Sequence, residues 1–120
     1  MDGGRPSRPG SVAERSPYPA RHEVPELDNL ALDAARAADR LFVAARDAGL
    51  ERWVRHFAAL PDRLRDEPIA GLRSVARSGR AAYGSRDSVR DALPAALTEP
   101  FLEATDRLLK ALARWEAHRP

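Results

Sequence analysis

The sequence predicts an all-α fold: a four-helix bundle-like domain with a short helical turn before the last helix and a disordered N-terminal arm. Three observations predict it. Apolar residues recur at three- and four-residue steps over long stretches, the spacing that gathers them on one face of a helix. Sustained period-two alternation with β-branched residues, the signature of a half-buried strand, is absent. Proline and glycine crowd the N-terminus and the junctions between periodic stretches, where they stop helices or start them. The 120 residues suffice for one domain, and 43% hydrophobic content is enough for its core.

Residues 1–24 read as a flexible arm and residues 25–120 as a single helical domain. In the arm, Pro6, Pro9, Pro17 and Pro19 stand beside Gly3, Gly4 and Gly10, and only Val12, Tyr18 and Val24 offer side chains to bury. Such a segment gains too little burial to offset its ordering entropy. It has arginines but no apolar h-region, so it does not read as a signal peptide.

The first helix follows Pro25. Leu27, Leu30, Ala34, Ala38, Leu41, Phe42, Ala45 and Ala48 form its stripe, and Gly49 ends it. A second helix runs from Glu51 through Trp53, Val54, Phe57, Leu60 and Leu64. Pro61 should kink it, because Leu64 keeps to the Trp53 face. The third helix begins near Pro68 and buries Ile69, Leu72, Val75 and Ala76. The last starts near Thr98 as N-cap and runs to about Ala117, with Phe101, Thr105, Leu108, Leu112 and Trp115 inward.

Between the last two helices lies "RSGRAAYGSRDSVRD", Arg77 to Asp91. It has the glycines of a phosphate cradle but no preceding strand and no Gly-Lys-Ser/Thr ending. It reads instead as a corner: Gly84 takes a positive φ to end a helix, and Ser85 or Ser88 caps a short segment that Pro94 stops. With His56, the residues Ser85, Asp87, Ser88 and Asp91 supply the side-chain types of a hydrolytic triad, but no spacing sets a nucleophile beside a base. His22, His56 and His118 are scattered without metal-ligand spacing. Cysteine is absent, which excludes disulfides, thiolate metal sites and cysteine nucleophiles. No cofactor is expected.

Two segments, "DAGLERWVRHFAAL" and "GLRSVARSGRAAYGSRDSVRD", resemble a family of small uncharacterised bacterial all-helical proteins. That family has a Trp-bearing helix, a Gly-Leu helix and an aromatic-glycine turn leading into Asn-Asp. Trp53, Gly71, Leu72, Tyr83, Gly84, Ser85 and Asp87 carry the match. The family's Gly-Met core is missing from the turn, and Arg86 stands near the asparagine's place. The resemblance spans about residues 41–115. It implies the helical fold and no particular activity.

Charge supplies the functional expectation. The net charge is +2, a near balance of 20 basic and 18 acidic residues, so the pI of about 9.6 reflects arginine's high pKa and is weak evidence for nucleic acid. Lys110 is the lone lysine, and the Arg- and Ala-rich composition resembles high-GC bacterial coding. The distribution is more telling. Arg73, Arg77 and Arg80 share one helix face, Arg86 and Arg90 extend the basic run, and no acid occurs from Gly71 to Arg86. Glu99, Glu103 and Asp106 repeat the same spacing on the last helix. The two stripes either stay solvated, pair with each other, or leave the arginines to bind.

The sequence therefore points to a small cytoplasmic helical interaction module without catalytic activity. Its candidate partner-binding residues are Arg73, Arg77, Arg80, Arg86 and Arg90. An acidic protein or a second copy of the chain in a homodimer is the expected partner, and the size fits an immunity or antitoxin-like role. The alternative is a DNA-associated regulator using the same arginines, with nucleic acid as partner; the outsider is a hydrolase centred on the Ser85–Asp91 turn. No apolar run reaches the roughly 20 residues of a membrane span, so no membrane role is expected.

Overall fold

The computed structural model describes residues 18–119, so residues 1–17 of the expected arm lie outside the described residues. The helices are α1 Pro25–Asp47, α2 Glu51–Phe57, α3 Leu60–Asp66, α4 Ile69–Arg80, α5 Val89–Ala92 and α6 Ala95–Ala117. Short 3₁₀ turns occupy Arg21–Glu23 and Ala81–Tyr83. No strand occurs among the described residues, as the helical periodicity predicts.

The two 23-residue helices, α1 and α6, form the spine. They run antiparallel: Arg114 near the end of α6 bonds Glu26 at the start of α1, while Leu97 near the start of α6 faces Val43 and Ala44 near the end of α1. Their buried faces are rich in small side chains. Ala31, Ala34, Ala35, Ala37, Ala38 and Ala45 of α1 and Ala104 and Ala111 of α6 are all buried. Small residues let two backbones approach closely, and the dispersion attraction summed along the seam is large although each atom pair adds little.

Larger side chains fill the space between this spine and the shorter helices. Phe57 and Phe101 are fully buried and meet edge to face at 5.6 Å, and Tyr83 stacks on Phe101 at 6.3 Å. Leu27, Leu41, Leu64, Leu72, Leu108 and Leu112 are fully buried in the same core. Each such side chain contributes roughly 1.5–3 kcal/mol by leaving water. Gly79 of α4 is buried because Phe101 occupies the place of its side chain: an added Cβ would lie 2.6 Å from the Phe101 Cζ.

Four local expectations are corrected. Pro61 does not kink one long helix. The chain stops at Phe57, bends through Ala58 and Ala59, and restarts at Leu60 with Pro61 in the first turn, where a missing N–H costs nothing. The last helix begins at Ala95 after Pro94, a turn before Thr98. Thr98 is fully buried inside it, and Pro100 is tolerated early in the helix. Gly84 is extended, with φ −64°; the positive φ of the turn falls on Asp87, at 49°, one of the residue types that tolerate it. Gly49, at φ 70°, does end α1 as expected.

The fourth difference lies at the N-terminal edge. Residues 18–24, expected to belong to the arm, pack on the domain. The Tyr18 ring lies 5.7 Å from Trp115, and its hydroxyl donates to the Glu116 carboxylate at 3.2 Å. Arg21 pairs with Asp28 at 2.7 Å and donates through Nη1 to the carbonyls of Leu64 and Glu67 at 2.8 and 3.0 Å. Those carbonyls end α3, so Arg21 caps that helix from 43 residues away in sequence.

Candidate functional site

Helix α4 positions the first three candidate arginines. Pro68 precedes its first turn, and Ile69, Leu72, Val75, Ala76 and Gly79 face the core. The helical repeat then turns Ala70, Ser74, Arg77, Ser78 and Ala81 fully outward, with Arg73 and Arg80 at the margins.

The structure separates the five arginines into two groups. Arg73 bonds the Glu116 carboxylate at 2.6 Å. That hydrogen bond raises the Arg73 pKa and lowers that of Glu116, against the opposing effect of desolvation. Arg80 pairs with Asp106 at 3.6 Å, and Asp106 also takes Lys110 at 3.1 Å. Arg90 binds Glu99 with both arms of its fork, each at 2.8 Å, which holds Glu99 below the ordinary carboxylate value. The Arg90 guanidinium also sits 5.8 Å from the centre of the Tyr83 ring. Arg77 and Arg86 form the second group. Both are exposed, and neither side chain has an ion pair among the described residues.

The basic run therefore meets the acidic stripe at two points, Arg80–Asp106 and Arg90–Glu99. Arg73 finds its acid elsewhere, at Glu116, and Glu103 stays exposed. Sequence spacing revealed each shared face but not the acid opposite each arginine. Glu116 was missed because it belongs to the far end of α6, beyond the predicted stripe.

The Ser85–Asp91 turn does not assemble a triad. Ser88 uses its hydroxyl oxygen as N-cap of α5, accepting the Arg90 N–H at 3.1 Å. Asp87 reaches Arg52 at 3.6 Å. These groups border an open cleft of about 180 Å³ lined by Arg52, Trp53, Asp87, Ser88, Asp91 and Ala92. His56 is not part of it. Its ring packs between Trp53 and Phe57, with Nε2 3.4 Å from the Gly79 carbonyl. Among the described residues no group of three or more His, Asp or Glu could hold a metal ion, and no helix is long and apolar enough to cross a membrane.

Two surface features escaped the sequence reading. One is the cluster at the end of α6, where the Arg119 guanidinium lies 4.7 Å from the ring centres of both Tyr18 and Trp115. The other is a stripe of Arg40, Val43, Ala44 and Asp47 beside an apolar cleft at the end of α1. No protein-family model matches the chain, and comparison with curated proteins and with solved structures found no match.

Proposed function

We propose that the chain is a helical protein-interaction module without catalytic chemistry of its own, which docks an acidic surface of a partner protein on the outer face of α4 and the turn that follows. One observation carries this reading. Arg77 and Arg86 stand exposed without an acidic partner among the described residues, in a stretch from Gly71 to Arg86 that contains no acid. Their neighbours Arg73, Arg80 and Arg90 are each neutralised locally.

Arginine suits the task, because its planar fork binds a carboxylate with two parallel hydrogen bonds. The exposed residues around Arg77 are short, Ala70, Ser74, Ser78 and Ala81, so a partner surface can approach the helix closely. A DNA-associated role ranks second, since local pairing leaves two of the five candidate arginines for phosphate. The proposed setting is the bacterial cytoplasm, in an immunity or antitoxin-like role by analogy of size.

The test is affinity capture from the native host with the full chain as bait, with and without nuclease, beside an Arg77→Glu/Arg86→Glu variant. A protein retained by the wild type after nuclease and lost from the variant supports the reading. Retention by the variant would move the interface to another face. Loss on nuclease treatment would put nucleic acid in the partner's place.

A further inference from the structure

Arg40, Val43, Ala44 and Asp47 lie at steps of three, one and three along α1, which places them on one stripe of the helix. Val43 is 42% exposed and is the one large hydrophobic side chain exposed among the described residues. It borders an apolar cleft of about 390 Å³ closed on the far side by Leu97 of α6. Arg40 is exposed and has no ion pair among the described residues. Asp47 is the last residue of α1, where the negative end of the helix dipole disfavours an acid. Its nearest cation is the adjoining Arg46 at 3.5 Å.

The geometry points to a second copy of this chain as the occupant of that stripe, with the two α1 helices packed antiparallel about a two-fold axis at Val43 and Ala44. Such an axis sets Arg40 level with the partner's Asp47, and Asp47 level with the partner's Arg40, each about 5 Å along the helix from the axis. Val43 then packs on the partner's Ala44, and the reverse. A closed two-fold interface needs a patch complementary to itself. Here a cation, an apolar centre and an anion follow one another, so antiparallel pairing satisfies both charges twice. The outer face of α4 lacks this property: its charges are all positive, and two copies meeting there would repel. The pairing also gives Asp47 a cation where its own helix opposes it.

The contact is small. Four residues a side fall well short of the roughly 20–30 of a standard interface, so the dimer exchanges with monomer.

Sedimentation equilibrium over a concentration series tests it, with the full chain and four variants. Arg40→Asp and Asp47→Arg each create two like-charge contacts and should weaken association at least ~10-fold. The double variant Arg40→Asp/Asp47→Arg should restore it to within about 3-fold, because the swap re-forms both pairs. Val43→Asp should abolish it. All three substituted side chains are exposed, and circular dichroism should show an unchanged fold. The chain has no cysteine, so Val43→Cys adds a single thiol; with oxidised glutathione as oxidant it should form a covalent dimer faster than Ser74→Cys on α4. A protein that stays monomeric up to the highest concentration at which it remains soluble overturns the proposal, whether another protein or the chain's own terminal residues cover the stripe. So does a dimer that the double swap fails to rescue, or equal cross-linking at positions 43 and 74.

Discussion

The ring of Phe101 lies where a side chain of Gly79 would be: a methyl built on Gly79 comes 2.6 Å from Cζ and 3.1 Å from Cε2. Phe101 cannot move aside, because it is fully buried between Phe57 and Tyr83. In an exposed helix, Gly→Ala would stabilise by about 1 kcal/mol. Here overpacking of about 1–3 kcal/mol opposes that gain, and Gly79→Ala should lower the melting temperature. Gly71→Ala is the control. The atom in its way belongs to the flexible Glu67 carboxylate, which can swing outward, so that variant should melt no lower than wild type.

Phe57→Ala and Trp53→Ala should each cost about 3–5 kcal/mol in denaturant unfolding, with Phe57 the larger. Phe57 is fully enclosed, whereas Trp53 keeps 7% exposure and borders the cleft beside Asp87. A Trp53→Ala variant as stable as wild type would contradict its place in the core.

Arg21→Ala should destabilise by about 1.5–3 kcal/mol, the range for hydrogen bonds from a charged group. Its side chain is only 12% exposed and serves Asp28, Leu64 and Glu67 together. Removing residues through Val24 should cost more, because Tyr18 leaves Trp115 and Glu116 as well. Thermal melts of both variants check this. Unchanged melting would show that the segment merely rests on the domain.

Acid should weaken the fold through two carboxylates. Arg73 holds Glu116, and Arg90 holds Glu99, below the ordinary value of 4.5. A lowered folded pKa contributes stability that is fully present above 4.5 and is lost as pH falls through the folded values. Melting temperature should therefore fall from about pH 5 downward. In Glu99→Gln/Glu116→Gln the decline should be shallower, with the two proteins converging at the acid end.

Alkali should act through Tyr83. Burial, reinforced by Glu99 and opposed by Arg90, pushes its pKa well above the ordinary 10.0. Its hydroxyl donates to the Thr98 carbonyl. Above pH 10 the unfolded chain ionises while the folded one resists, so stability falls as pH rises. Tyr83→Phe should lose about 1 kcal/mol at neutral pH with the hydrogen bond and show a flatter alkaline profile.

Periodicity made α1 and α4 legible in the sequence, since each has one apolar face, and Gly49 marked the turn that ends α1. The start of α6 was not legible. Thr98 has the chemistry of an N-cap, and only the packed fold shows that its side chain turns inward. Tyr18 and Arg21 were lost in the average of a Pro- and Gly-rich segment, although their partners lie at the far ends of α6 and α3. For the candidate site, spacing put Arg73, Arg77 and Arg80 on one face. Which of them stays unpaired depended on Glu116 and Asp106, contacts that helix period cannot encode.

The contact between Tyr18 and Trp115 makes the domain nearly a closed circuit, although its sequence is an open line. Its first and last described turns share one pole, so the order in which the helices are threaded is separable from the way they pack. A chain of residues 18–119 recut within the exposed residues Gly84–Arg86, with residues 18 and 119 bridged by a short linker, would keep every helix whole. The spine of α1 and α6 would then join through that linker, and the long return between them would become the pair of new termini.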